Sequence, residues 1–278
     1  MIATLNETLA YARDRQRAVG SFNTPNLECV CAVIGAAEEL NVPVILLHAQ
    51  VHEPVAPLEV IGPVMVLAAK RAKVPVCVHL DHCETLSYLR RALEIGFTGI
   101  MYDGSALSYE DNVTNTIEAV RLSRGYGAGV EAELGQLAHR EGGEDTGGPV
   151  YTDPDLAARF ASATGIDCLA PSFGTAHGIY KSAPVLNLEL VKRVGELVGL
   201  PLVMHGGSGV SREDYRTAIR NGIRKVNYYT YMAREGVRAA KRLLDSGEVT
   251  FYHDVAMAAQ EAMRVDALQA LRLFNGMG

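Results

Sequence analysis

The 278-residue chain contains no run approaching the roughly 18 consecutive apolar residues that a membrane span requires. Its start, Met1–Ile2–Ala3–Thr4–Leu5, has neither the basic opening nor the apolar core of a signal peptide. Lysines and arginines are scattered rather than blocked and the net charge is −6, so no basic patch for nucleic acid is written into the sequence. The five cysteines (Cys29, Cys31, Cys77, Cys83, Cys168) are odd in number and include no Cys-x-x-Cys spacing. That excludes a disulfide framework and points to reduced thiols in a cytoplasmic protein. The early Gly-x-Gly-x-x-Gly turn of dinucleotide binders is missing, as are internal repeats, linkers and low-complexity tracts. What remains is an ordinary globular composition, 48% hydrophobic, at a length that suits one large domain.

Apolar runs of strand length alternate with amphipathic stretches from end to end. Strands are predicted at Ala18–Phe22, Pro43–Leu47, Val74–Leu80, Thr98–Tyr102, Ala128–Glu133, Asp167–Pro171, Pro201–His205 and Arg224–Tyr228. Helices are predicted at Leu27–Leu40, Val60–Arg71, Leu86–Glu94, Asn112–Ser123, Pro154–Ala163, Asn187–Val198 and Arg212–Asn221. Thr152–Asp153–Pro154 supplies a helix start, a capping residue before a proline in the first turn. The strands show no internal alternation, which is the pattern of a parallel sheet buried on both faces. The fold expected is α/β, a (β/α)8 TIM barrel filling residues 1–278 as a single domain with a C-terminal helical extension; an open doubly wound sheet is the alternative.

Polar residues gather where these strands end: Asn23, His48, Asp81 with His82, Asp103, Glu133, Ser172, His177, His205 and Asn227. In a barrel those ends converge on one mouth, where the chemistry sits. His82, His177 and His205 are the expected metal ligands, because three neutral imidazoles leave Zn2+ an open position for a substrate oxygen. His79 shares a strand face with Asp81 and is expected beneath the site; Cys83 is surplus to the ligand set. Asp81, ionised beside a dication, is the expected proton acceptor. Asp103 and Glu133 are placed to orient a histidine or to hold the metal in an alternate position. Gly206–Gly207–Ser208–Gly209 and Asn227–Tyr228–Tyr229–Thr230 follow the last two strands, the usual phosphate site of a barrel, with backbone N–H groups and the Thr230 hydroxyl as donors. A glycine-rich acidic loop, His139 to Gly148, is expected on the same face as a lid.

From Gly20–Ser21–Phe22–Asn23 to about Thr230 the sequence resembles the class II, zinc-dependent ketose-bisphosphate aldolases. The motifs that carry the resemblance are His79–Leu80–Asp81–His82, Glu131–Ala132–Glu133–Leu134–Gly135, Gly174–Thr175–Ala176–His177–Gly178, His205–Gly206–Gly207–Ser208 and Lys225–Val226–Asn227. The resemblance implies a zinc-dependent carbon–carbon lyase acting on a sugar phosphate, with no nucleic-acid or membrane partner and a homodimeric or homotetrameric assembly. It implies catalytic zinc on His82, His177 and His205, with Asp103 and Glu133 as secondary metal positions. Asp81 would serve the C4 oxygen, and Glu141 (or Glu144 as its substitute) the proton of the enediolate. Asn23, Gly178, Gly206, Gly207, Ser208, Asn227 and Thr230 would bind the dihydroxyacetone phosphate half.

The sequence departs from the family in three places, one of them the C-terminal tail, Phe251 to Gly278, which is expected to match the family poorly. After the second strand, where the family carries a Gln-x-Ser-x-Gly-like segment, this chain reads Leu47–His48–Ala49–Gln50–Val51 with His52 beyond. Pro171–Ser172–Phe173 replaces the small apolar residues usual before Gly174. Aldehyde recognition is therefore expected to be altered, with His48, Gln50 and His52 as the polar residues nearby. No lysine is expected where a Schiff base would be needed. Two other readings are a barrel metallohydrolase, which the lack of a His-x-His pair disfavours, and a metal-stabilised sugar-phosphate binding protein in which Asp81 would be dispensable.

Overall fold

The computed structural model describes residues 1–135, 151–179 and 184–277, together with the backbone of 138–139. Eight parallel strands close into a barrel: β1 (Val19–Asn23), β2 (Val44–Ala49), β3 (Val76–Cys83), β4 (Gly99–Tyr102), β5 (Gly129–Leu134), β6 (Cys168–Pro171), β7 (Leu202–Met204) and β8 (Ile223–Tyr228). They run around the barrel in sequence order, with β8 pairing β1 through Ser21 opposite Asn227. Closure excludes the open doubly wound sheet. Helices α2 (Leu27–Leu40), α3 (Leu58–Arg71), α4 (Leu86–Ile95), α5 (Tyr109–Arg124), α6 (Pro154–Thr164), α7 (Leu188–Val198) and α8 (Arg212–Arg220) follow the first seven strands, and α9 (Thr230–Asp245) and α10 (Tyr252–Phe274) follow the last. At the start of α6, Asp153 accepts from the Leu156 N–H at 2.7 Å, with Pro154 in the first turn as the sequence indicated.

One helix is absent from the expectations: α1 (Leu5–Asp14) precedes the first strand. Thr4 and Glu7 close its N-terminus as a capping box, each side chain accepting from the other's backbone N–H. Its buried face, Leu5, Leu9 and Ala12, meets Val19, Ile45, Cys77, Cys168 and Val203 inside the barrel. The floor of the barrel is therefore an apolar plug, and the polar residues are confined above it. Between plug and mouth lie His79, Glu131 and Lys225, all with no exposed surface. Gly99 makes room for this layer, since a Cβ there would come within 2.8 Å of the His79 ring. All five cysteines are free thiols. No described helix is long and apolar enough to cross a membrane.

Candidate active site

A cavity of about 850 Å³ opens at the C-terminal ends of the strands. Asn23, Asp81, His82, Asp103, Glu133, His177, Gly178, Gly206, Gly207, Ser208, Asn227 and Thr230 line it, and His205 lies just behind at 1% exposure. Strand alternation would turn only one of Asp81 and His82 inward. Both face the cavity because the β3–β4 register shifts between Leu80 and Cys83 and His82 takes a left-handed φ of 46°. A non-glycine residue held there costs on the order of 1–3 kcal/mol, which the surrounding contacts must offset. Ala176–His177 pairs with the backbone of Ala138–His139, which carries His177 over the mouth.

One nitrogen from each of His82, His177 and His205 lies within 4.8 Å of the others, and His82, Asp103 and Glu133 form a second such group. His82 Nδ1 is 2.6 Å from Asp103 Oδ2. His205 Nε2 is 2.7 Å from Glu131 Oε1, while its Nδ1 is 3.3 Å from Glu133 Oε2 without an aligned hydrogen bond. His82 Nε2, His205 Nδ1 and Glu133 Oε2 are buried atoms that lack hydrogen-bond partners. Buried polar atoms are ordinarily satisfied, so this convergent set of nitrogen and oxygen donors fits a divalent metal ion.

Asp81 is 3% exposed and accepts from the Asn23 amide at 3.3 Å and from the Asn227 amide at 3.1 Å, one on each oxygen. Burial alone would favour its neutral form. The charges of His82, Lys225 and His205 win, and its pKa is held at about 2. Lys225 donates to Asn227 Oδ1 at 2.7 Å and lies 2.9 Å from Glu131 Oε2. Burial opposes ionisation of Glu131, yet Lys225, the bond from His205 and the His79 ring 3.4 Å away hold it well below the usual carboxylate range. For His205, burial is likewise overcome by its bond to Glu131, by the close approach of Glu133 and by the charges of both, raising its pKa to about 10 in the metal-free protein. Burial pushes the Glu133 pKa up. A continuous chain of polar contacts thus runs from His205 through Glu131, Lys225, Asn227 and Asp81 to Asn23.

Across the cavity, Gly206 has a φ of 61°, and a Cβ there would lie 2.3 Å from the Ala176 carbonyl oxygen, so only glycine fits. Ser208 Oγ accepts from the Tyr229 N–H at 3.2 Å. Helix α9 begins at Thr230 with no side-chain cap and no acidic residue in its first turn, which leaves its N–H groups open to an anion.

The class II fructose-bisphosphate aldolase profile matches residues 3–278, so the tail from Phe251 to Gly278, expected to match poorly, lies within the family pattern. The chain belongs to that family. It is a class II aldolase, an aldehyde-lyase. A fructose-bisphosphate aldolase of Geobacillus stearothermophilus is 33% identical over 284 aligned positions, covering 100% of this chain and 98% of that protein. The crystal structure of the YdjI aldolase from Escherichia coli K12 superposes with a TM-score of 0.90 at 36% identity, covering 100% of this chain and 99% of the other. A putative fructose-1,6-biphosphate aldolase from Coccidioides immitis superposes at 0.89 with 29% identity, covering 99% of this chain and 96% of the other.

Several sequence expectations for this aldolase need correction. His48 does not reach the mouth. It pairs with Leu80 in the β2–β3 register and turns outward, with Nε2 2.9 Å from the Tyr88 hydroxyl; burial lowers its pKa to about 4. Ser172 is buried but does not line the cavity. Asn23 and Asn227, expected to bind the dihydroxyacetone phosphate half, line the cavity and also hold the Asp81 carboxylate. A lysine does lie close beneath the site, namely Lys225, but it is fully buried and bound to Glu131. Glu141, its substitute Glu144 and the lid expected around them lie outside the described residues. Glu131 and Lys225 were not singled out as functional, although each sits two residues before an inward-facing neighbour, Glu133 and Asn227. Cys83 turns away from the cavity, with its thiol donating to the Thr85 carbonyl at 3.2 Å.

Proposed function

We propose that this aldolase uses Zn2+ to cleave a ketose 1-phosphate or 1,6-bisphosphate type sugar into dihydroxyacetone phosphate and an aldehyde, with an aldehyde half other than that of fructose 1,6-bisphosphate preferred. The observation that carries the reading is the meeting, in one cavity, of a three-imidazole cluster, an ionised buried carboxylate and an uncapped helix N-terminus beside a glycine cradle. When bound at His82, His177 and His205, with Asp103 and Glu133 as alternate positions, Zn2+ supplies a Lewis acid for the substrate carbonyl.

The remaining work falls to the chain. Gly178, Gly206, Gly207, Ser208 and the start of α9 at Thr230 hold the phosphate. Asn23 and Asn227 hold Asp81, kept ionised by the nearby cationic groups, aimed at the C4 hydroxyl. Asp81 accepts that proton as the C3–C4 bond breaks and the C4 carbonyl forms. A second acidic residue, Glu141, in its protonated form delivers a proton to C3 of the three-carbon fragment and is left as the carboxylate. Reduced thiols fit a cytoplasmic protein, and a homodimer or homotetramer remains part of the proposal.

The far end of the cavity supports the altered head group. Gln50, Val51, His52 and Glu84 line it, His52 sits edge-on to Tyr229 at 5.5 Å, and no Lys or Arg occurs among the described lining residues. Ala49 lines the cavity where the family offers a serine hydroxyl. Losing one neutral hydrogen bond reduces preference for an anionic terminus by about 0.5–1.5 kcal/mol. The test is a coupled assay for dihydroxyacetone phosphate across a panel of ketose phosphates, with and without chelator. Fructose 1-phosphate or a ketose 1-phosphate with another uncharged head is expected to give a higher kcat/KM than fructose 1,6-bisphosphate. A clear preference for the bisphosphate refutes the altered head group, and release of dihydroxyacetone phosphate from none of them refutes the whole reading.

A further inference from the structure

Lys225 has no exposed surface and does not line the cavity, yet it touches both arms of the site. An ammonium group only donates. Each of its two bonds therefore fixes which way its partner is turned.

On one side, Asn227 presents Oδ1 to Nζ at 2.7 Å, which leaves its NH2 facing Asp81 Oδ1 at 3.1 Å. The flipped amide would set NH2 against an ammonium and oxygen against a carboxylate. Both contacts are repulsive, so one orientation survives. On the other side, Glu131 gives Oε2 to Lys225 at 2.9 Å and Oε1 to His205 Nε2 at 2.7 Å. A carboxylate only accepts, so Nε2 must carry a hydrogen. The opposite nitrogen, Nδ1, then faces the cluster it forms with His82 and His177. Glu131 is also fully buried, and Lys225 is the cation in contact with it that does not depend on a histidine proton.

We propose that Lys225 is the positioning residue of this site: through Glu131 it aims the metal-facing nitrogen of His205, and through Asn227 it aims the amide that holds Asp81. This rests on the reading that metal sits at the imidazoles and that Asp81 moves the proton. It assigns Lys225 no contact with substrate. A purely structural lysine would contribute to stability without tying the two arms together.

The test uses Lys225→Met, which keeps a flexible straight side chain and removes the donor. Because that change strands the Glu131 charge, the neutral pair Lys225→Met/Glu131→Gln is made beside it, and thermal unfolding identifies which variants are folded. Competition against a chromophoric chelator then measures Zn2+ affinity without any substrate. The folded variant is expected to bind Zn2+ about 10–100-fold more weakly, the usual cost of losing the partner that orients a ligand, with a changed visible spectrum of its Co2+ form. At saturating metal, kcat for the best substrate of the panel is expected to fall about 10-fold or more while KM moves less. Asn227→Ala is expected to cost less in this background than in the wild-type enzyme, because its amide is no longer aimed. Wild-type Zn2+ affinity in the folded variant, or a full-sized Asn227→Ala effect within it, overturns the proposal. If the wild-type enzyme cleaves no ketose phosphate, the functional reading fails, while the Zn2+ competition still decides the role of Lys225.

Discussion

Asp81→Asn separates chemistry from architecture in this site. The carboxylate accepts one amide hydrogen bond on each oxygen, 3.3 Å from Asn23 and 3.1 Å from Asn227, and only 3% of the residue is exposed. An asparagine there keeps shape and volume but has one accepting end, so its NH2 must face the NH2 of Asn23 or Asn227. Losing one hydrogen bond to a charged group costs about 1.5–3 kcal/mol, and a stranded buried donor costs about 1–3 kcal/mol more. Stability is expected to fall by an amount in that range, read as a lower thermal midpoint. The chemical cost is separate. An amide cannot accept the hydroxyl proton, and removing one positioned acid or base lowers kcat by about 10²–10⁴-fold. At about 1.36 kcal/mol per tenfold, that is roughly 2.7–5.4 kcal/mol of barrier. Asp81 belongs to neither ligand cluster, so metal content is expected to stay at the wild-type level. Steady-state cleavage of a ketose 1-phosphate, with metal content measured on the same samples, makes the comparison. Wild-type kcat in a fully metallated Asp81→Asn enzyme would refute the assignment.

Prolonged chelation is expected to abolish turnover and Zn2+ to restore it. Borohydride added with substrate is expected to trap no adduct, since Lys225 is buried and salt-bridged to Glu131; a trapped lysine adduct defeats this. Metal uptake is expected to release protons at pH 8, because His205 titrates at about 10 in the metal-free protein and must be neutral to bind. Affinity then rises with pH up to about 10, and calorimetry in buffers of different ionisation enthalpy should show it; a binding heat independent of buffer refutes the point. Gly206→Ala places a Cβ 2.3 Å from the Ala176 carbonyl at a φ of 61°, so both the thermal midpoint and the affinity for dihydroxyacetone phosphate are expected to drop. Retention of both would show that the cradle yields more easily than its geometry implies.

The barrel was legible because parallel strands buried on both faces read as apolar runs bounded by turn residues. Each of the eight expected strands overlaps an observed one, and the helices between them fall within a few residues of their expected ends. Helix α1 is written in the sequence only as Thr4-x-x-Glu7, a single short capping box that stands out poorly against eight strand signals. Polarity alone points His48 to the mouth. Its place one residue before inward-facing Ala49 already pointed it outward. His82 is the reverse case: alternation would send it to the helix layer, and only a register break with a left-handed residue brings it in. Nothing in one sequence announces such a break. Glu131 and Lys225 open two of the family motifs and share period-two spacing with Glu133 and Asn227, but a motif match carries no sign that two buried charges meet across the barrel.

The segment Gln50–His52, a single 3-10 turn between β2 and α3, shapes the far end of the cavity while standing outside the buried chain that runs from His205 to Asn23. Under the proposed function, bond breaking and the choice of aldehyde are therefore assigned to different stretches of polypeptide. Substitutions in that turn leave untouched the contacts that hold Asp81 and His205. Descendants of such a barrel can try new sugars one residue at a time and keep a working lyase at every step, so divergence of diet need not pass through a dead enzyme.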